Sequence, residues 1–212
     1  HFSTHTRRSR ICLKDTGTEI FKMYHFYAFI NRMKYINRWG LMRNTDRENL
    51  KEHSFQVAVI AHALALIEKE RFRQETDPDK AAVIALFHDA SEIITGDMPT
   101  PVKYYNDGIR NVYKDIEKEA NALLVKKLPE DMQPTYSDLL SEEDTPEHRC
   151  VKAADTLSAY IKCVEELKAG NREFEGAAKS IRERLEQLPL RSVRVFIDEF
   201  LESYSLTLDE QS

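Results

Sequence analysis

Cysteine is scarce in this chain: Cys12, Cys150 and Cys163 stand far apart, with no Cys-x-x-Cys pair among them. That excludes a disulfide framework and a zinc knuckle, and the three are expected to be reduced thiols of a cytosolic protein. Long apolar runs are missing as well. The longest, Val57 to Ile67, covers eleven residues, includes His62 and is too short to span a bilayer. No apolar signal peptide opens the chain. Basic charge is not in excess either: the net charge is −5, with no basic cluster in the body of the chain. Such a surface is poor material for gripping a nucleic acid, although one or two arginines suffice for a small phosphorylated substrate. There is no internal repeat, no low-complexity tract, and no long stretch that alternates with period two.

What the sequence does have is 212 residues, enough for one sizeable core and too few for two full domains. Residues 1–22 stand apart, because His1-Phe-Ser-Thr-His-Thr-Arg-Arg-Ser-Arg is polar and basic and lacks the patterning that begins at Met23. We read 1–22 as an N-terminal extension, whether native, an expression remnant or a mis-called start, and 23–212 as the folded domain. From Met23 onward nearly every segment has helical spacing. Phe26, Phe29-Ile30, Met33 and Ile36 recur every three or four residues until Asn37-Arg38-Trp39-Gly40 breaks the pattern. Thr45-Asp-Arg-Glu48 has capping-box spacing and predicts a helix that carries His53 to about Glu70. Thr76-Asp77-Pro78 opens the next helix, which Gly96 would stop. Further helices are predicted from about Ile109 to Leu128, from Pro146 through Asp155 to Gly170-Asn171, and over 174–188 and 192–204. The fold class is all-α, a single-domain helical bundle.

The chemistry gathers around the adjacent pair His88-Asp89, which follows the apolar run Ala81 to Phe87. A carboxylate beside an imidazole is costly on a buried helical surface unless something compensates it, and a metal ion is the strongest compensator. His53, at the head of one apolar stretch, and Asp155, interrupting another, fit the same description. Together they form H…HD…D, a set of two nitrogen donors and two carboxylates suited to a borderline divalent transition metal. On a continuous helix His88 and Asp89 are separated by about 100° and can grip one ion from its edge. Glu92 then lies one turn further along, where a general acid or base is useful and a ligand is not required. Plainer roles exist for each residue. His62 fits a satisfied helix-face histidine, and His1, His5, His25 and His148 sit in polar or terminal contexts. Glu92 fits a surface carboxylate, Asp155 a partner of Lys152 or Lys162, Arg38 a helix-end arginine, and Trp39 a core anchor at a turn. An HD dipeptide alone is a weak signal; the full set on three helical segments is much stronger.

These residues also carry a resemblance. Asn37-Arg38-Trp39, Glu48-Asn49 with Glu52-His53-Ser54, His88-Asp89-Ala90-Ser91-Glu92, Thr95-Gly96-Asp97-Met98-Pro99-Thr100-Pro101-Val102-Lys103-Tyr104 and Lys152-Ala153-Ala154-Asp155 resemble the motifs of HD-domain metal-dependent phosphohydrolases. The Thr-Gly-Asp-x-Pro-Thr-Pro-Val-Lys-Tyr block is similar to the bacterial 5′-deoxynucleotidase (YfbR-type) branch in particular, and the likeness runs from about Met23 to Glu210. It implies that His53, His88, Asp89 and Asp155 bind one divalent ion, typically cobalt or manganese, with His53, Asp89 and Asp155 also facing the substrate. Arg38 would orient the phosphate and Trp39 would pack near sugar and base. Asp97, Met98, Pro99 and Thr100 would line the nucleotide site, and Glu92 would be the acid/base carboxylate. Family members are dimers, and the apolar faces of the C-terminal helices suit pairing.

The expected function is therefore hydrolysis of deoxyribonucleoside 5′-monophosphates to deoxynucleoside and inorganic phosphate, by a cytoplasmic homodimer without nucleic-acid or membrane partners. Another HD phosphohydrolase (a phosphodiesterase or a nucleoside-triphosphate hydrolase) is one alternative, and a non-catalytic nucleotide-binding module is the other. Trp39 is a flat apolar wall that can leave a ribose 2′-hydroxyl without a partner. Burying an unpaired hydroxyl costs about 1–3 kcal/mol, which corresponds to a deoxy preference of roughly ten- to a hundred-fold.

Overall fold

Asn49 starts the longest helix of the first half. Its side chain accepts from the backbone N–H groups of Lys51 and Glu52, and the Glu52 carboxylate accepts in return from the Asn49 N–H at 3.2 Å. This reciprocal pair satisfies the donors that a helix start leaves open. The computed structural model describes residues 22–103, 105–141 and 143–212, so the expected extension lies, apart from Lys22, outside the described residues. The helix starting at Asn49 is α2 (Leu50–Phe72), the third regular segment after α1 (Phe26–Ile30) and a 3-10 turn over Asn31–Tyr35. The cap corrects the sequence-based start at Thr45. Asn49/Glu52 and Thr45/Glu48 have the same spacing, and only the first pair forms the box, which leaves the Glu48 side chain free to turn elsewhere.

The remaining helices are α3 (Pro78–Phe87), α4 (Glu92–Thr95), α5 (Thr100–Lys103), α6 (Asp107–Val125), α7 (Gln133–Leu139), α8 (Pro146–Lys168), α9 (Glu175–Glu186) and α10 (Arg191–Glu199). Among the described residues no strand is present; a single antiparallel bridge pairs Asn37 with Asn49. Asp77 and Thr145 cap α3 and α8, each followed by proline in the first turn, where a missing N–H costs nothing. The short helix α7 lies outside the predicted helices; Pro134 sits in its first turn, where a missing N–H costs little.

The core is built where α2, α3 and α8 meet. Val57, Ala58, Ile60, Ala61, Leu64 and Ala65 of α2 pack against Ala81, Ile84 and Ala85 of α3 and against Val151, Ala154, Leu157 and Ile161 of α8. The many alanines let the three helices approach closely. Val193 and Phe196 of α10 close this core, so the apolar face of that helix, expected to serve pairing between copies, is spent inside the protomer. A second cluster of Phe26, Ala90, Leu124, Val125, Leu128 and Leu140 seats α1 and α6 beside the turn after α3. Cys150 and Cys163 are buried and unpaired, and burial pushes both thiols up to about 12. No described helix is long and apolar enough to cross a membrane.

Candidate functional site

The sequence places His88, Asp89 and Glu92 on one unbroken helix, and the structure does not. Helix α3 ends at Phe87, and residues 88–91 form turns before α4 begins at Glu92. The break has a local cause. The Nδ1 of His88 lies 2.7 Å from the Ala85 carbonyl oxygen, which would otherwise take the next helical N–H. Tighter bonds three residues apart follow, from Ala90 N–H to Phe87 O and from Glu92 N–H to Asp89 O, both at 3.0 Å. Because a carbonyl only accepts, Nδ1 of His88 carries a proton, and in the neutral ring Nε2 is left with its lone pair.

That Nε2 and the Nε2 of His53 are buried and without hydrogen-bond partners. His53 stands in the second turn of α2, and its Nε2 lies 3.6 Å from Asp89 Oδ2 and 3.2 Å from Asp155 Oδ1. His88 Nε2 lies 3.1 Å from the same Asp89 oxygen. The donor atoms of His53, His88 and Asp89 all fall within 4.8 Å of one another, close enough to meet on one ion. Asp155, half-buried on α8, borders this group, and its Oδ1 is also 3.7 Å from Arg38 Nη2. Unpartnered nitrogen donors facing carboxylates in a buried setting are the chemistry that a divalent cation completes.

Around these donors the charges are sorted sharply. Burial opposes ionisation of Asp89, but His88 beside it outweighs burial and holds the carboxyl far below the usual range. His88 is correspondingly raised to about 9, against its own burial, by Asp89 and Asp155, so a cation that binds at Nε2 must displace a proton from it. Glu92 behaves in the opposite way. Burial, with Asp89 and Asp97 nearby, pushes its carboxyl up to about 10. Two carboxylates with values driven apart are how one pocket provides a fixed anion and a proton carrier. Arg38 keeps its charge in spite of burial because Asp155, Glu48, Asp89 and Asp97 surround it.

Arg38 and Trp39 sit in the loop between the 3-10 turn and α2. The loop is closed by Arg38 N–H to Glu48 O at 3.0 Å and Leu50 N–H to Ile36 O at 2.9 Å. Trp39 has φ +59°, a left-handed conformation that costs a side-chain-bearing residue about 1–2 kcal/mol. Its indole packs on Phe174, with ring centroids 5.3 Å apart. Asp97 is half-buried after Gly96, where burial raises its carboxyl and Arg38 lowers it. Met98 and Pro99 are half-buried and Thr100 is exposed at the head of α5.

Three polar side chains at the site were given no role there by the sequence: Glu48, which stands only in the capping-box spacing and the motif blocks, and Gln56 and Ser158. The Nδ1 of His53 lies 2.6 Å from Arg38 Nη1 and 3.1 Å from Ser158 Oγ, and Ser158 donates to Gln56 Oε1 at 2.6 Å. Its only proton spent, Ser158 can accept from His53 Nδ1–H, the tautomer that leaves Nε2 open; Arg38 Nη1 carries only donors, so its close approach to Nδ1 is not a hydrogen bond in that tautomer and favours the opposite one. Gln56 and Ser158 each lie three residues beyond a predicted ligand on the same helix, and that spacing was the available signal.

The chain is similar to known proteins over most of its length. The family model of YfbR-like 5′-deoxynucleotidases matches residues 25–204. A 5′-deoxynucleotidase of Erwinia tasmaniensis is 49% identical over 190 residues, covering 89% of this chain and 96% of the relative. An HD-domain phosphohydrolase from Listeria innocua superposes with a TM-score of 0.75 at 25% identity, covering 85% of this chain and 88% of the other. The HD phosphohydrolase of cyanophage S-2L, solved with dA and one catalytic Zn2+ ion, shares the fold at 20% identity and a TM-score of 0.57, over 84% of this chain and 95% of its own.

Proposed function

The chain belongs to the YfbR-like 5′-deoxynucleotidase family, and we infer that it is a metal-dependent hydrolase of deoxyribonucleoside 5′-monophosphates. The observation that carries the inference is the pair of buried, unpartnered imidazole nitrogens facing Asp89, with a charged arginine beside them. We propose His53, His88, Asp89 and Asp155 as the holders of one divalent ion, with cobalt or manganese as the metal. When bound, such an ion neutralises phosphoryl oxygens and makes a water more acidic.

The remaining steps belong to side chains. Arg38 presents a planar fork that pairs two phosphate oxygens, an arrangement that lysine cannot reproduce. We assign Glu92, whose burial favours the protonated carboxyl, as the group that hands a proton to the departing 5′ oxygen and recovers one from the attacking water. Trp39 walls the sugar, while Asp97, Met98, Pro99 and Thr100 bound the nucleotide. The proposal includes a cytoplasmic homodimer, for which the exposed Phe55 and Val59 on α2 offer an apolar contact; sedimentation velocity tests this.

Retention of Arg38 and of a buried proton-bearing Glu92 favours catalysis over a nucleotide sensor. The test is phosphate release from dAMP and from AMP with added cobalt or manganese. Metal-dependent release that is at least ten-fold faster from dAMP is expected. No release, or equal release from both, removes respectively the activity or its deoxy selectivity.

A further inference from the structure

The proposed chemistry gives work to Arg38, Trp39 and His53, and none to Glu48, whose carboxylate lies against the side chains of all three. Glu48 Oε2 accepts from Trp39 Nε1 at 3.0 Å and from Arg38 Nη1 at 3.3 Å. Its Oε1 lies 3.4 Å from His53 Nδ1, and its backbone carbonyl accepts the Arg38 N–H. The side chain is only 11% exposed. A carboxylate offers several lone pairs and no donor, so it can accept from an indole and a guanidinium together.

Trp39 needs such a tether. A bulky residue in left-handed backbone persists only where its surroundings over-determine it. Asn44 Nδ2 donates to the Trp39 carbonyl at 3.3 Å and Phe174 supports one face of the ring, but the indole N–H is held by Glu48. We propose that Glu48 is a positioning residue for substrate selectivity. It locks indole and guanidinium into one frame against His53, so that sugar and phosphate are read at a fixed separation. This rests on the assignment above of Arg38 and Trp39 to substrate contact.

The chain has one tryptophan, so its emission reports on Trp39 without any substrate or metal. The variants are Glu48→Ala, which removes the tether, and Glu48→Gln, which keeps an acceptor for the indole and loses the charge. In Glu48→Ala the emission should shift to the red and acrylamide quenching should rise about two-fold, with far-UV circular dichroism unchanged. The ratio of kcat/KM for dAMP over AMP should fall about ten-fold, chiefly through a lower KM for AMP, whose 2′-hydroxyl is no longer held without a partner. Glu48→Gln should restore most of the quenching protection and only part of the ratio, and it serves as the readout if Glu48→Ala does not fold. Combined with Trp39→Ala, Glu48→Ala should lower the ratio no further, because the two act as a unit. Emission and quenching unmoved in a folded variant, or an unchanged ratio, would overturn the proposal. A wild-type ratio in Trp39→Ala would instead show that the indole does not read the sugar, and the selectivity claim would fall while the emission result still judges the tether.

Discussion

Two buried charged clusters lie along α8, and they are finished to different degrees. In the first, the Glu166 carboxylate accepts from Lys162 Nζ, from Asn171 Nδ2 at 2.8 Å, and from the backbone N–H groups of Thr45 and Asp46. Lys162 also donates to the Asp46 carbonyl, so charge and hydrogen bonding are both balanced. In the second, around His53, His88, Asp89 and Asp155, two imidazole nitrogens and a Glu92 oxygen are buried with no partner. The desolvation penalty is the same in kind at both places, but only the first cluster compensates it from within the chain. A saturated network holds the loop of residues 38–48 to α8. An unsaturated one waits for something from outside, and that is the mark of a functional centre.

The difference can be broken at four levels, taken from the largest expected effect downward. His53→Ala and Asp155→Ala should each lower metal-dependent phosphate release from dAMP by more than about a thousand-fold, with circular dichroism near wild type. Retained activity in the Asp155 variant would remove it from the ligand set. Glu92→Ala should cost about 100- to 10,000-fold in kcat while bound cobalt, counted by elemental analysis, stays stoichiometric. Loss of the ion would make Glu92 a support of the metal rather than a proton carrier.

Glu166→Ala should do the reverse. It strands the buried Lys162 charge and should lower stability by about 3–5 kcal/mol in urea, with kcat of the folded fraction within about two-fold of wild type. The smallest effect is the pH dependence of that same network. Burial opposes the charge of Glu166, but Lys162, Asn171 and the two backbone donors outweigh it and hold the carboxyl at about 2. A lowered value in the folded state means that the stabilisation is complete above the unfolded value of about 4.3. It is lost as pH falls through about 2. Between those limits the stability of the wild type should drop more steeply than that of Glu166→Gln.

The helices were legible because caps and apolar spacing are local. Asp77-Pro78 and Thr145-Pro146 announce their starts within a few residues, and Gly96 and Gly170, both at positive φ, mark ends. Where two neighbouring sequences share a signal, tertiary structure decides. Thr45/Glu48 and Asn49/Glu52 both spell a capping box, and the bridge between Asn37 and Asn49 with the demands of Arg38 and Trp39 awards it to the second. The break after Phe87 was likewise invisible, since a side chain of His88 replaces a backbone donor there and the residue order is unaffected. The clustering of His53, His88 and Asp89 was anticipated as a ligand pattern, but its support by Gln56 and Ser158 depends on α2 and α8 lying side by side.

The short loop carrying Arg38 and Trp39 has a consequence for motion. His53 and Asp155 are carried by the core helices α2 and α8, whose backbone opens only when the whole domain unfolds. The loop is tied at its ends by two backbone hydrogen bonds and further along by Glu166, Lys162 and Asn171, and it can open without unfolding α2 or α8. Amide exchange should therefore divide the site in two, slow at His53 and Asp155 and faster at Arg38 and Trp39. The half that reads the substrate can open while the half that carries His53 and Asp155 stays closed.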